Sequence, residues 1–287
     1  MPTSEKIELT AEEWYMPPEL TPLWQTYSHG GLSLRQQRDY NRLHALYFHE
    51  QIVFFEQEII CPVLRALAVG LEEEPLRRGV GEFIKEEIEH SAMFHGLLRE
   101  EAPEWYADSP YHFIRCGFIE KSLLQWGVEH PRWFPMYLWL ILLLEERAMF
   151  CSRAFVEGRG NLRKPYYEVQ RRHLADEVDH VQWDEELIAT VWNRTPLSLR
   201  KANLRMLDWM LGEFVVAPKR AAIRVVEQLV FLHPELRGRL GIFIRELREL
   251  GGSVPFRKSI FGPAAPRARR LMEGHPECDS FRAYWLN

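Results

Sequence analysis

Cysteine is scarce in this sequence. Only Cys61, Cys116, Cys151 and Cys278 occur among its 287 residues, and no two of them form a C-x-x-C pair. Because zinc ribbons and thioredoxin-like redox sites need paired cysteines, both kinds of site are excluded. Four scattered thiols in a chain of this length are also unlike a disulfide scaffold and indicate a reducing compartment.

A membrane-spanning run is missing as well. The most apolar stretch covers residues 133–144, which is too short to cross a bilayer. The polar, acidic beginning MPTSEKIELTAEEW does not resemble a signal peptide. The net charge of -5 gives no positive excess that would favour nucleic acid or an anionic membrane as partner. We therefore expect a soluble cytoplasmic protein with no nucleic-acid and no membrane partner.

The alternation of apolar and polar residues that is typical of β-strands does not occur either. Apolar residues instead recur at three- and four-residue spacing, which predicts helices near residues 33–64, 75–101, 132–156 and 165–192, with more helices after Pro196. Pro62 is expected to kink or end the first helix. The class is all-α. We expect an N-terminal arm (1–32), a helical domain (33–250) and an irregular tail rich in Pro, Gly and Arg (251–287).

The sequence is rich in acids and histidines near RRHLADEVDHVQWDEEL, residues 171–187. Glu177 and His180 form an E-x-x-H motif there, and Glu87 and His90 form another one ninety positions earlier. Residues three apart on a helix face nearly the same way, so each motif places a carboxylate beside an imidazole. A single E-x-x-H is more often a solvated helix face than a metal site.

A second regularity links the two motifs. Glu56 lies 31 residues before Glu87, Glu146 lies 31 residues before Glu177, and both upstream glutamates have apolar neighbours. In two antiparallel helices joined by a short connection, this offset places both members of a pair at the same height. Two alternatives stay open at this point, because Glu58 competes with Glu56 and Glu145 competes with Glu146.

Two such hairpins packed into a four-helix bundle collect four glutamates and two histidines in its core. That is the ligand set of the ferritin-like di-iron and di-manganese carboxylate proteins. Imidazole suits iron, and the same ligands accept manganese. Without metal, four close buried carboxylates would repel one another at a large cost in free energy. We therefore expect a ferritin-like four-helix bundle core with additional C-terminal helices and a two-metal site.

A third histidine extends the second motif. His173 lies four residues before Glu177, and with His173 at 0° the helix places Glu177 at about 40° and His180 at about -20°. The corresponding position of the first motif is Phe83, so the site is expected to be asymmetric. The H-E-x-x-H of the zinc proteases is absent, which argues against a mononuclear zinc site.

This pattern of four glutamates and three histidines resembles the p-aminobenzoate N-oxygenase (AurF-like) family of non-haem di-iron enzymes. The resemblance covers roughly residues 33–192. It implies two iron ions, oxo- or peroxo-bridged in turnover, and oxidation of a small organic substrate by O₂, often an amine. By the resemblance, seven residues bind the metals: Glu56, Glu87, His90, Glu146, His173, Glu177 and His180.

Four further residues fall near the same faces. His49 and Tyr166 lie seven positions before Glu56 and His173, and either is expected to line a pocket or to be a core polar group. Asp176 and Asp184 are candidates to orient the ligand histidines, with simple solvation as the alternative.

The leading functional hypothesis is a di-iron oxygenase that uses O₂ and an electron donor such as a reductase or ferredoxin, with N-oxygenation of an amine as the expected reaction. A di-iron hydroxylase of a carbon centre and a ferritin-like iron-handling protein are alternatives, and a helical interaction protein without metal is a third class. A homodimer is expected. A metal analysis separates these hypotheses.

Overall fold

The computed structural model of the protein describes residues 13–212 and 220–284. Residues 1–12 of the expected arm, residues 213–219 of the C-terminal helical region and residues 285–287 of the expected tail lie outside the described residues. Within the described ranges the chain forms helices and connecting loops, and its sole β-type contact is an isolated bridge between Trp14 and Leu162. The all-α class is thereby confirmed.

Four long helices form the bundle. They are α1 (Leu34–Phe55, continued by α2, Cys61–Ala68), α3 (Glu74–Glu101), α6 (Met136–Glu157) and α7 (Lys164–Leu187). Helices α1 and α3 pack together, as do α6 and α7, and α3 packs against α7. Helices α1 and α6 approach each other less closely than these pairs. The described helices include none that is long and apolar enough to cross a membrane.

The first long helix begins where the sequence provides a capping box. The Ser33 hydroxyl accepts from the Gln36 backbone N–H, and the Gln36 side chain accepts from the Ser33 backbone N–H. Two N–H groups that have no partner inside the helix are thereby satisfied. The N-terminal arm is fixed to this helix by Asn41, whose side-chain oxygen accepts from the backbone N–H of Tyr15 at 2.8 Å.

The interruption expected at Pro62 occurs one turn earlier. Residues Glu56–Ile60 form a π-helical turn between α1 and α2, and the Cys61 N–H donates to the Glu56 carbonyl. Pro62 lies in the first turn of α2, where its missing N–H costs little. Single π-turns in long helices occur frequently at functional sites. This one begins at Glu56, one of the residues that the sequence assigns to the metal site.

The connection between α3 and α6 contains a short helix α4 (Pro103–Tyr106) and a helix α5 (Phe118–Glu129) that the helical spacing did not predict. The loop between them is fixed by Glu50, which is fully buried on α1. Its carboxylate accepts from the Tyr106 hydroxyl at 2.9 Å and from the backbone N–H groups of His112 and Phe113 at 2.9 and 3.0 Å.

The C-terminal region continues with α8 (Leu197–Met210), α9 (Ala221–Leu232) and α10 (Leu240–Gly252). The prediction of an irregular tail after residue 250 is wrong for the described part of it. That part forms α11 (Val254–Phe261), α12 (Pro266–Glu273) and a 3-10 helix (Pro276–Tyr284). Phe261, Ala268 and Phe281 are buried in the apolar core beside the bundle, and this burial stabilises helices with many helix breakers between them.

Helix α12 is joined to the bundle through Glu146. The Glu146 carboxylate accepts from the backbone N–H groups of Arg267 and Ala268, both at 2.8 Å. These are N–H groups of the first helical turn, which have no partner inside α12. A negative charge at a helix N-terminus is also favourable because of the helix dipole.

Substitution Glu146→Ala is expected to lower the free energy of unfolding by about 1–3 kcal/mol, because two buried N–H groups lose a charged acceptor. The number of metal ions bound should stay unchanged, since this carboxylate contacts α12. Urea unfolding and metal analysis measure the two effects. Glu157→Ala, which changes an exposed glutamate of the same helix, is the control. Loss of a metal ion in the Glu146 variant would contradict this placement.

Candidate metal centre

Seven acidic and imidazole side chains meet in the centre of the bundle. They come from four places in the chain: the π-turn after α1, α3, α6 and α7. Each is 0–4% exposed, although charged and titratable groups are normally at the surface. We call this set the donor cluster, and its members are Glu56, Glu87, His90, Glu145, His173, Glu177 and His180.

The two E-x-x-H motifs face each other across α3 and α7. Nδ1 of His180 lies 3.2 Å from a Glu87 oxygen and 3.4 Å from a Glu177 oxygen. Nδ1 of His90 lies 3.4 Å from the same Glu87 oxygen. Donor atoms of Glu87, His90, Glu177 and His180 all lie within 4.8 Å of one another, which is close enough for one ion to contact several of them.

A second group adjoins the first. Nε2 of His173 lies 2.5 Å from a Glu177 oxygen and 3.6 Å from a Glu56 oxygen. Glu56, His90 and His173 also present donor atoms within 4.8 Å of one another. The remaining Glu56 oxygen accepts from the Ser91 hydroxyl at 2.7 Å. Since His90 belongs to both groups, the two groups of donor atoms adjoin each other, and each could hold a metal ion.

The structure places Glu145, and not Glu146, in the cluster. A Glu145 oxygen lies 3.9 Å from Nδ1 of His180, whereas the Glu146 carboxylate is bonded to the N-terminus of α12. Neighbouring residues on a helix point about 100° apart, so only one of the two can face the cluster. On the first helix Glu56 faces the cluster, and Glu58 accepts from the Tyr111 hydroxyl instead.

Two outer carboxylates hold the imidazoles of the E-x-x-H motifs. Nε2 of His90 lies 3.1 Å from Asp176, and Nε2 of His180 lies 2.8 Å from Glu86. Each Nε2–H therefore donates to a carboxylate, so Nδ1 is the ring nitrogen that faces the cluster. Carboxylates in this position fix the tautomer of a metal-binding histidine and raise its basicity.

Asp176 was among the predicted orienting residues, but Glu86 was missed. The signal was present in the sequence, because the motifs occur as E-E-I-E-H at residues 86–90 and as D-E-V-D-H at residues 176–180. In both, an acid precedes the inner glutamate by one residue. Each such acid reaches across to the histidine of the opposite motif.

Burial and mutual repulsion dominate the electrostatics of the carboxylates. Burial, together with the charge of Glu87, raises the pKa of Glu56 well above its ordinary value. The pKa of Glu145 is raised in the same way, by burial and by the charges of Glu177 and Glu87. Buried Asp184, one turn after His180, also has a raised pKa, and neither of its oxygens has a hydrogen-bond partner within the described residues.

Imidazoles compensate part of this repulsion. Burial alone would raise the pKa of Glu87, but the close imidazoles of His180 and His90 lower it to about 2. Burial lowers the pKa of His90, yet the contact with Glu87 outweighs it and raises the value to about 9. The pKa of His180 is raised by Glu145 and Glu177 against the effect of burial. Burial and these contacts therefore favour the protonated forms of His90, His180, Glu56 and Glu145.

The donors suit a pair of metal ions. Several buried donor atoms have no hydrogen-bond partner within the described residues, among them both oxygens of Glu87 and Glu177 and Nδ1 of His90 and His180. Leaving such groups unpaired in a core costs about 1–3 kcal/mol each. Metal ions satisfy them together, and this mixture of carboxylates and imidazoles is typical of two-metal sites in helical bundles.

His49 and Tyr166, for which the sequence left a pocket residue and a core polar group as alternatives, are core groups in the structure. His49 donates from Nδ1 to the Ala45 carbonyl at 2.7 Å, and its Nε2 accepts from the Gln170 amide at 3.0 Å. Burial lowers the pKa of His49 to about 4, so this imidazole is neutral. Tyr166 is fully buried, and its ring packs edge-on against those of His49 and Tyr15.

A cleft reaches the cluster between α1 and α6. Glu56, Glu145 and His173 are among the residues that line it. On the α3 side Phe83, the residue that takes the place of a fourth histidine, stacks on the His180 ring with centroids 4.1 Å apart. The cleft therefore adjoins the side of the cluster that carries the extra histidine, His173.

A ferritin-like helical bundle with a buried glutamate and histidine cluster is the class that this fold and site define. The family model of p-aminobenzoate N-oxygenase AurF matches residues 2–229. The chain therefore belongs to the AurF family, which is a family of di-iron oxygenases. No curated protein sequence matches the chain.

Loss of an outer carboxylate should weaken metal binding. Glu86→Ala and Asp176→Ala are each expected to lower the affinity for Fe²⁺ by about 10-fold or more, because the facing imidazole loses its orienting partner. Anaerobic titration of the metal-free protein with Fe²⁺ measures the affinity. Glu89→Ala is the matched control, since Glu89 is exposed on α3 and faces Lys85. Equal affinities of all three variants would argue against the orienting role.

The stability of the metal-free protein should fall as the pH rises from about 6.5 to about 9. The pKa of His90 rises from 6.5 to about 9 on folding, so its stabilisation is present below pH 6.5 and is lost through pH 9. The raised pKa values of Glu56 and Glu145 act in the same direction. The lowered pKa of Glu87 changes the stability only at acidic pH, below this range.

Urea unfolding across this pH range should show a decrease of about 1–3 kcal/mol. Iron-loaded protein is the control, and its stability should depend less on pH because the cations replace the protons. Stability that is constant or rises between pH 6.5 and 9 in the metal-free protein would contradict the proposed charge balance.

Proposed function

We propose that this protein is a di-iron N-oxygenase that inserts an oxygen atom from O₂ into an amine of a small organic substrate. The observation that carries the proposal is the third imidazole: His173 faces both Glu56 and Glu177 inside the cluster. Family membership supports the oxygenase class. The balanced reaction is amine plus O₂, two electrons and two protons to hydroxylamine plus water, and the electrons come from a protein donor such as a ferredoxin or reductase.

The metal ligands that we propose are the seven residues of the donor cluster, with Glu145 in place of Glu146. Glu177 lies between the two groups, with one oxygen near His173 and the other near His180. Glu177 would therefore be among the residues that hold the metal ions at both groups. Bound iron would supply the O₂ activation and the electron transfer that protein side chains alone do not provide.

The residues of the chain prepare the site in two ways. The outer carboxylates Glu86 and Asp176 hold His180 and His90 with Nδ1 directed inward. Phe83 and Phe94 pack against the rings of His180 and His173, with centroids 4.1 and 5.0 Å apart, and exclude water from them. A dry site protects reactive oxygen species from side reactions.

His173 contributes a neutral donor on one side only. Because α3 has Phe83 where α7 has His173, the two cation positions have different surroundings. An imidazole fills one coordination position without adding negative charge. This asymmetry distinguishes the cluster from the ligand set of a minimal two-metal bundle and directs chemistry to the side of the cleft.

Substitution His173→Ala should give a folded protein that binds fewer than two iron ions per chain. Its turnover should fall by at least about 10- to 100-fold, which is the loss typical when an outer hydrogen-bond partner of a metal ligand is removed. The iron content per chain is measured by elemental mass spectrometry. Turnover is followed with 4-aminobenzoate as the probe amine, a chemical reductant and ¹⁸O₂, and the product is analysed for the label. His95→Ala is the control, since His95 lies on α3 and contacts the Tyr106 carbonyl.

Incorporation of ¹⁸O into a nitrogen of the product supports the proposal. Label on a carbon would instead identify a hydroxylase, and accumulation of iron far beyond two ions per chain without amine oxidation would identify an iron-handling protein. Full turnover and full iron content in the His173 variant would contradict the role of this histidine.

A further inference from the structure

Helix α5 (Phe118–Glu129) is unusually exposed for its composition. Two of its twelve residues, Gly127 and Val128, are buried, and Leu124 packs against the apolar core. The remaining nine are exposed, and four of them are large and apolar. A helix that carries apolar side chains on more than one side is normally enclosed in a core. The outer side of α5 is therefore expected to contact another molecule.

Three of the apolar residues form one stripe on the outer side. Ile119, Leu123 and Trp126 lie at i, i+4 and i+7, so their side chains point within about 60° of one another. They are 73%, 64% and 53% exposed. Phe118 at the start of α5 and Trp133 just after its end are 88% and 66% exposed. We call these five residues the α5 face. Exposed apolar groups of this extent mark interaction sites.

The area of the α5 face indicates a transient partner. Large side chains that are more than half exposed present roughly 100 Å² each, so the five offer on the order of 500 Å². Electron-transfer and other weak complexes bury less than about 600 Å² on each partner, whereas stable complexes bury about 800 Å² and permanent dimers bury more. The α5 face is thus of the right size for a brief encounter and too small for a permanent dimer.

Cations surround the α5 face. Arg115, Lys121 and Arg132 are exposed, and none of them forms an ion pair with an acidic side chain in the described part of the chain. The guanidinium groups of Arg115 and Arg132 contact backbone carbonyl groups, which leaves their charges uncompensated. Since the whole chain has a net charge of -5, this rim is positive against the overall charge. It would attract an acidic partner and steer its approach.

The acids of the same segment do not cancel the rim. Residues 112–133 contain three cations and two acids, Glu120 and Glu129. Glu120 accepts from the backbone N–H of Gly117 and forms an ion pair with Arg220, a further exposed cation. The surroundings of the α5 face therefore carry a positive excess, which complements a negatively charged protein.

Helix α5 also lies against the part of the chain that supplies a proposed metal ligand. It packs on α2 and on the π-turn Glu56–Ile60. Glu56 begins that turn and belongs to the donor cluster, where it is 2% exposed. Electron transfer between proteins is fast only over short distances, so a donor must dock close to the metal ions. Because the π-turn contacts α5 and also contributes to the cluster, the α5 face is such a place.

We propose that the α5 face, with its rim of Arg115, Lys121 and Arg132, is the docking surface for a small acidic redox protein that delivers the electrons for the reaction. This inference rests on the proposed function, which needs two electrons for each O₂. Each docked donor is oxidised by one electron and one ferric ion is reduced to ferrous, so two encounters complete the reduction. No bond forms or breaks in this step.

Binding and electron transfer are measured separately. The probe is a plant-type ferredoxin, which is a small acidic iron–sulfur protein. Calorimetric titration of the iron-loaded protein with oxidised ferredoxin measures the affinity. Stopped-flow mixing with reduced ferredoxin under nitrogen measures the rate at which the ferric ions are reduced. Affinity and rate should both decrease as the salt concentration rises, because salt screens the attraction.

The double variant Ile119→Ser/Leu123→Ser should weaken ferredoxin binding and slow the reduction by about 10- to 100-fold, since two apolar contacts are lost from the complex. Lys121→Glu should reduce both by about 10-fold at low salt and by less at high salt. Reduction by dithionite, which needs no docking surface, should be unchanged in both variants.

Phe231→Ser and Lys201→Glu are the matched controls. Phe231 is 76% exposed on α9, and Lys201 is exposed on α8. Each control makes the same kind of change on another helix and should leave ferredoxin binding at the level of the wild type. Iron content and circular dichroism of every variant must equal those of the wild type.

Several results would overturn the proposal. If the wild type does not bind ferredoxin, or if the Ile119/Leu123 variant binds and is reduced as the wild type is, the donor does not dock at α5. A dimer that light scattering detects for the wild type but not for this variant would assign the face to a second copy of the chain. Vesicles of phosphatidylserine and phosphatidylcholine that bind the wild type but not the variant would assign it to a lipid surface.

The docking surface and the proposed function can fail independently. A protein that is reduced through the α5 face but places no labelled oxygen on nitrogen would refute the proposed function and support the docking surface. Labelled N-oxygenated product formed with dithionite, together with ferredoxin reduction that the α5 variants do not slow, would support the function and refute the docking surface.

Discussion

The repulsion between four buried carboxylates is the constraint on which the rest of the structure depends. Glu56, Glu87, Glu145 and Glu177 occupy one small volume in the centre of the bundle, and each is at most 3% exposed. In a medium of low polarity such charges cannot coexist without compensation. Protons and imidazoles supply part of it in the metal-free chain, which the raised pKa values of Glu56 and Glu145 reflect. Two multivalent cations would supply all of it.

Further residues around these carboxylates orient the imidazoles or cover them. The imidazoles of the two E-x-x-H motifs are oriented by Glu86 and Asp176, so the two motifs support each other across the α3–α7 contact. Aromatic rings cover the imidazoles on the α3 side. The side between α1 and α6 stays less tightly packed, and the cleft there reaches Glu56, Glu145 and His173. The same four helices therefore pack closely around the E-x-x-H motifs and leave a cleft between α1 and α6.

The C-terminal region is attached to the bundle directly beside the donor cluster. Glu146 lies next to Glu145 in the chain, and it connects the bundle to α12 through two backbone N–H groups. Glu145 thus faces the donor cluster, and Glu146 holds α12 against the bundle. The π-turn at Glu56 has a comparable effect on α1, since it places Glu56 toward the cluster while Glu58 contacts Tyr111.

The sequence by itself determined the helical class and the two E-x-x-H motifs, because both depend on local helical spacing. The second 31-residue offset pointed to Glu146, whereas Glu145, the residue that faces the cluster, lies 32 positions before Glu177. It also contained the acids before each motif, although their roles were recognised only in part. Tertiary structure decided that Glu145 and not Glu146 faces the cluster. Neighbouring helical residues point about 100° apart, and the packing of α6 determines which of the two faces the cluster. Helical order after residue 250 and the neutral, fully bonded state of His49 were likewise decided by burial, which no local pattern specifies.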